Sequence, residues 1–146
     1  MRLLLARNDI NPNCADEWDR TPLSSAVRGG YEPVVKLLLE RTDVNPNPRD
    51  QEGWTPLLEA AREGDVGVVE LLLKRHDVDP NSTGKEGETP LLVASRGGYV
   101  GVVGLLLARH DVDVNRTGGD GRTAIQVARE EGQEAVVRLL AERGAE

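Results

Sequence analysis

Apolar residues gather in two kinds of short segment that alternate along the chain. One kind begins with Pro-Leu and carries alanines, as in Pro56-Leu57-Leu58-Glu59-Ala60-Ala61. The other is a Val-Val-x-Leu-Leu-Leu run, as in Val68-Val69-Glu70-Leu71-Leu72-Leu73. Thr55 offers a hydroxyl to the free N–H groups of a helix start. Pro56 then stands at the first helical position, where its missing N–H costs nothing. This predicts a short helix from Pro56 to about Arg62, ended by Gly64. A second helix is predicted from about Val66 to Arg75. Its apolar set of Val68, Val69, Leu71, Leu72 and Leu73 is broad enough to be covered on more than one side. Asp77-Val78-Asp79-Pro80-Asn81 then leads away as extended chain, because Pro80 disfavours helix in the residue before it.

The same order of elements recurs. Thr-Pro-Leu stands at Thr21-Pro22-Leu23, Thr55-Pro56-Leu57 and Thr89-Pro90-Leu91, with a degraded copy at Thr123-Ala124-Ile125, at a constant step of 34 residues. Leu3, Leu37, Leu71, Leu105 and Leu139 keep that step. The copies that begin at Asp50 and Gly84 agree at about two-thirds of their positions. The repetition predicts a buried set of Leu37, Leu71, Leu105, Leu57, Leu91, Ala60 and Ala94. Gly53, Gly87 and Gly121 follow turn residues and precede the threonine by two, so positive φ or a bulge-like turn is expected there. The first copy has Asp19 instead, which tolerates that geometry less well. Helices this short are marginal alone. They become stable when neighbouring copies cover them, and the expected architecture is a one-dimensional stack.

The pattern D-x-x-G-x-T-P-L, then A-x-x-G, then V-V-x-L-L-L, then D-V-[ND] resembles the ankyrin-repeat family over essentially the whole chain. The resemblance implies an all-α solenoid of stacked antiparallel helix pairs with short β-hairpin loops. It divides residues 1–146, taken as a single domain, into a partial repeat at 1–15, full repeats at 16–49, 50–83 and 84–117, and a capping repeat at 118–146. The period of 34 departs from the family's usual value of about 33. The usual Thr-Pro-Leu-His lacks its His at every copy. Arg41-Thr42-Asp43-Val44-Asn45-Pro46-Asn47 and its counterpart at 75–81 resemble the long arrays of fungal ankyrin proteins. Leu3-Leu4-Leu5 reads as the middle of a second helix without its first, which suggests a fragment of a longer array or a minimal cap. Ala141-Glu142-Arg143-Gly144-Ala145-Glu146 resembles a capping helix.

Composition narrows the function. The formal charge is −7, with no basic run, which argues against binding the phosphates of nucleic acid. No apolar run approaches the roughly 18 residues of a membrane span, so no membrane role is expected. Cys14 is the single cysteine, so no intrachain disulfide can form, and an intracellular, cytoplasmic or nuclear setting is the natural reading. A monomer is expected.

Candidate chemistry is thin. Asp77-Val78-Asp79-Pro80-Asn81 with Glu88 imitates a calcium loop. Its sixth position is Ser82 where Gly is wanted, and the aligned stretch carries Arg116 and Arg122. His76 and His110 fall at equivalent places in successive copies, too far apart to share a metal. The only imidazoles, His76 and His110, fall in loops while Ser24, Ser25 and Ser95 fall in or near the first helices, and Gly97-Gly98-Tyr99-Val100-Gly101 is not a dinucleotide fingerprint. The expectation is no enzyme, no catalytic residue, no metal and no cofactor. Cys14 reads as an inert thiol. Asn11 and Asn45 stand where ankyrin asparagines can be hydroxylated, and read more simply as amides that support the loop.

What remains is a surface. The resemblance implies a protein partner, of a kind the residues do not name, met by the hairpin tips and the exposed side of the first helices. On this chain the partner-binding candidates are Trp18, Arg20, Arg28, Trp54, Glu59, Arg62, Glu88, Val93, Arg96 and Arg122. Trp and Arg are over-represented at binding hot spots, and Arg28, Arg62 and Arg96 should form a row. The rival is a spacer or engineered scaffold without a ligand, a piece of a larger multidomain protein.

Overall fold

The computed structural model describes residues 9–146. Leu3, Leu4 and Leu5, read above as part of a second helix, lie outside the described residues.

Among the described residues, four helix pairs stack along one axis. They are α1 (Pro22–Arg28) with α2 (Glu32–Leu39), α3 (Pro56–Glu63) with α4 (Val66–Leu73), α5 (Pro90–Gly97) with α6 (Val100–Leu107), and α7 (Ala124–Glu130) with α8 (Glu134–Glu142). First helices pack on first helices (α1 on α3 on α5 on α7), and second helices on second (α2 on α4 on α6 on α8). The arrangement follows from length. A helix of two turns buries too little alone, so each pair is held by the pairs on either side.

The starts are set as the threonines predict. Thr21, Thr55 and Thr89 are buried, and their hydroxyls accept from the backbone N–H of Ser24, Leu58 and Leu92. Each is followed by proline. The fourth copy uses a different device, in which the Gln126 side chain accepts from the Thr123 N–H at 2.9 Å. Gly64 ends α3 with φ 73 and Gly98 ends α5 with φ 71. The second helices are shorter than expected: α4 stops at Leu73 and Lys74 is its C-cap. Beyond the C-cap the Arg75 side chain binds Asp77.

The leucine register needs correcting. Leu57, Leu91, Ala60 and Ala94 are buried as expected. Leu37, Leu71 and Leu105 are not: each is only half-buried, and the fully buried leucines are the next residues, Leu38, Leu72 and Leu106. Three leucines in a row sweep more than half a helical circumference, so they cannot all face the centre of the stack; in the third copy Leu107 is buried beside Leu106. Leu72 lies four residues beyond Val68 and three beyond Val69, both fully buried, and so shares their face. Leu71 shares a face with Val68 alone.

The turns form as expected. Gly53, Gly87 and Gly121 have φ of 78, 79 and 78, and Asp19 accepts the same strained geometry at φ 59. At Gly87 a second constraint adds to the first, since a Cβ there would stand 2.8 Å from the backbone nitrogen of Gly119. Each hairpin closes through two main-chain bonds: Asp16 N–H to Arg20 C=O, Asp50 to Trp54, Gly84 to Glu88 and Gly118 to Arg122, and within these turns Asp19 N–H to Asp16 C=O, Gly53 to Asp50, Gly87 to Gly84 and Gly121 to Gly118, at 2.8–3.1 Å. No strand forms among the described residues. The β-hairpin loops expected from the resemblance are here tight turns without a strand ladder.

Candidate recognition surface

The segments that follow each second helix are stitched by two side-chain ladders. The Asn13 amide donates to Asp43 C=O at 2.7 Å and accepts from Asn45 N–H at 2.7 Å. Asn47 does the same to Asp77 and Asp79, and Asn81 to Asp111 and Asp113, at 2.7–2.8 Å. Asn115 accepts from the Glu146 N–H at 2.9 Å. Beside them, Arg75 donates to Arg41 C=O at 3.1 Å, Arg109 to Arg75 C=O at 3.4 Å, and Arg143 to Arg109 C=O at 3.3 Å. Each asparagine and arginine thus fastens its own copy to a neighbouring one. Both rows step by 34 along the chain. The signal was legible as a recurring Asn and Arg, but nothing in the sequence said that they reach across copies.

These ladders absorb the residues that imitated chemical sites. The Asp77 carboxylate is held by Arg75 at 2.9 and 2.5 Å, and Asp111 by Arg109 at the same distances. Arg41 holds Asp43 likewise at 2.9 and 2.7 Å. The hydrogen bond from the partner arginine lowers the pKa of all three aspartates, against a smaller desolvation effect. Asp79 Oδ1 accepts from Asn81 N–H at 2.9 Å, and its own N–H is taken by Asn47. Asn11 and Asn45 accept from the N–H two residues on, at 2.9 and 3.0 Å, so both support their turns. Among the described residues no three His, Cys, Asp or Glu side chains gather as a metal site. Cys14 is exposed.

The hairpin edge carries the other candidates. Trp18 is 50% exposed at the first tip, and the Arg20 guanidinium stacks on its ring at 4.4 Å. Arg20 is held in turn by Asp16 at 3.2 Å. Trp54 is half-buried, with Arg62 over its ring at 4.7 Å. Such stacking is worth roughly 0.5–1 kcal/mol at exposed sites. Trp18, Arg20, Arg28, Trp54, Glu59 and Arg62 together line one recess of about 160 Å³. The first six candidates are therefore neighbours.

Two helix positions differ from expectation. Glu59 and Val93, expected on the exposed side of the first helices, are each only 8% exposed. Glu59 is wedged between two arginines, 3.4 Å from Arg28 of the preceding helix pair and 3.3 Å from Arg62 of its own. It neutralises part of the row and is drawn in by doing so. Val93, its counterpart 34 residues on, is drawn in for the opposite reason: an apolar side chain gains by leaving water.

The remaining candidates sit further along. Glu88 and Arg96 line a second recess of about 590 Å³ with Lys85, Leu92 and Asp120. Arg122 lies just outside its lining. It is tied to Asp120 at 2.7 Å and also to Glu130.

The family model for ankyrin repeats (3 copies) matches residues 1–84 and, in a second overlapping match, residues 67–146. The chain belongs to the ankyrin-repeat family. Ankyrin repeats are generally protein–protein interaction modules, and the family is typically non-enzymatic. No curated protein matches the sequence. Among the described residues, no helix of this ankyrin stack is long and apolar enough to cross a membrane.

Proposed function

We propose that this ankyrin-repeat chain binds a protein partner through its hairpin tips and the exposed side of its first helices, the concave face in the family it belongs to. Trp18, Trp54, Arg20, Arg28 and Arg62 form the centre of the contact. Glu59 holds the arginines in place. Glu88, Val93, Arg96 and Arg122 extend the surface towards the last helix pair.

The observation that carries this reading is Trp18. A tryptophan half in water at a hairpin tip, held flat by an arginine, adds nothing to the stacked core. It presents a large rigid area with little rotamer entropy to lose on binding. Trp54 and Arg62 present a second aromatic–cation stack in the same recess, where a partner side chain can lodge.

The test is capture of partners from a native lysate by the full chain, compared with a Trp18→Ala/Trp54→Ala variant at equal amounts of folded protein. A partner retained by the first should be weakened by about 2 kcal/mol or more in the second, the loss expected for a hot-spot pair. A partner that binds both equally places the interface elsewhere. An empty result for both favours a spacer or scaffold.

A further inference from the structure

We infer that two copies of this chain associate through the solvent side of α6, about a two-fold axis that runs along that helix and sets α4 of each copy against α8 of the other. The contact uses second helices alone and none of the residues assigned above to partner recognition.

α6 reads Val-Gly-Val-Val-Gly-Leu-Leu-Leu. A helix that is apolar on every side is normally covered on every side, and α6 is not. Val102, Val103, Leu106 and Leu107 are buried, whereas Val100, Gly101 and Ala108 are exposed and Gly104 and Leu105 partly so. Val100, Gly104 and Ala108 are spaced by four and share one face. The other second helices carry charge there: Glu32, Lys36 and Glu40 along α2, Glu70 and Lys74 along α4, and Glu134, Arg138 and Glu142 along α8. Gly104 is a second anomaly. Glycine inside a helix is destabilising relative to alanine, yet a Cβ at Gly104 would meet nothing within 4 Å. Its own chain does not require the gap. Val66 of α4 is exposed and lies against Gly101, 3.0 Å from where a Cβ would stand, which widens the uncharged strip.

The flanking charges select the occupant. α4 and α8 pack on either side of α6. At the level of Gly104 they carry Glu70 and Arg138, and at the level of Ala108 they carry Lys74 and Glu142. All four are exposed, and the order of sign is reversed from one helix to the other. A two-fold axis along α6 lays the strip on itself, Gly104 on Gly104 and Ala108 on Ala108. It brings Glu70 to the second copy's Arg138 and Lys74 to the second copy's Glu142, each contact occurring twice by symmetry. The result has an apolar centre and a charged rim, and the glycine at the centre lets the two backbones approach closely. Glu70 and Lys74 already lie 3.4 Å apart, and Arg138 lies 3.9 Å from Glu134. Exposed pairs of this kind contribute little, so a facing charge meets weak competition.

Sedimentation equilibrium of the full chain over a range of concentrations tests this directly. The mass should rise to twice that of the chain. Gly104→Glu/Ala108→Lys gives α6 the pair that α4 carries at Glu70 and Lys74, and sets like charges opposite each other across the axis. Glu70→Lys/Lys74→Glu keeps a pair within α4 but reverses its order. Either double variant should weaken dimerisation by about tenfold or more, because opposed like charges are costly. Adding Arg138→Glu/Glu142→Arg to the α4 reversal should restore it, which a change in fold stability alone would not do. Circular dichroism restricts the comparison to folded protein. The α4 and α8 positions are exposed, so their reversals remain decisive if the α6 variant does not fold. A chain that stays monomeric at every concentration overturns the inference. A dimer indifferent to the α6 variant does so too, as does one that the α4 reversal leaves intact or that the α8 reversal fails to restore.

Discussion

The two long edges of this stack are built under opposite constraints. After each second helix the chain repeats itself closely: Asn13, Asn47, Asn81 and Asn115, then Arg41, Arg75, Arg109 and Arg143. At the hairpin edge it does not. The position of Trp54 reads Arg20, Glu88 and Arg122 in the other copies, and that of Glu59 reads Ser25, Val93 and Val127. The difference lies in what each edge must bind. On the ladder edge side chains satisfy the main chain of the next copy, and main-chain groups recur identically every 34 residues. The same donor is therefore needed each time. On the hairpin edge the main chain closes its own turns and meets the neighbouring hairpin directly, Gln51 N–H to Trp18 C=O and Gly119 N–H to Glu86 C=O, with one tip side chain, Gln51, also donating to Glu17 C=O. The tip side chains do not form a repeated ladder and are free to differ. Repetition marks scaffold here, and variation marks the surface available for recognition.

The contrast can be broken first at the core that both edges share. Leu72→Ala should cost about 2–5 kcal/mol in chemical denaturation, the usual range for a fully buried leucine. Leu71→Ala, at a half-buried site, should cost less than half of that. Equal losses would mean that the leucine register is wrong.

A second break targets the point where hairpins touch by backbone. Gly87→Val combines positive φ with a close approach to Gly119, and should cost at least about 1–3 kcal/mol from backbone strain alone. The same change at Gly121, where an added Cβ meets nothing within 4 Å, should cost less. Thermal unfolding of the two variants separates strain from collision.

The ladder and the tips can then be set directly against each other. Asn47→Ala removes two bonds between copies, and should destabilise by about 1–2 kcal/mol. Glu52→Ala, on an exposed tip, should stay within about 0.5 kcal/mol of the parent. Comparable losses would dissolve the distinction between the edges. Trp18→Ala should behave like Glu52→Ala in stability. Trp54→Ala should cost more, because Trp54 packs partly against the core.

The smallest effect is expected from pH. Asp43, Asp77 and Asp111 are held below the ordinary aspartate range by Arg41, Arg75 and Arg109. A carboxylate whose folded pKa is depressed adds stability that is fully present above its unfolded pKa and is lost as pH falls through the folded one. The melting temperature should therefore hold across neutral pH and decline only below the normal carboxylate range. An Asp77→Asn variant should show a shallower acid decline. The groups are exposed, and salt should weaken the effect.

Much of this was legible in the residues. Thr-Pro-Leu at a step of 34 specified helix starts through local chemistry, a hydroxyl acceptor followed by a residue with no N–H to satisfy. Gly53, Gly87 and Gly121 specified their turns through the absence of Cβ. These features act within a few bonds of their own position, and so they survive being read one residue at a time. The need to stack followed from helices too short to stand alone. Tertiary structure decided the rest, because it depends on which side of a helix a neighbour occupies. Only packing selected Leu72 over Leu71 from a run of identical leucines. Only proximity across copies turned Asn47 and Arg75 into ladders and drew Glu59 in between Arg28 and Arg62.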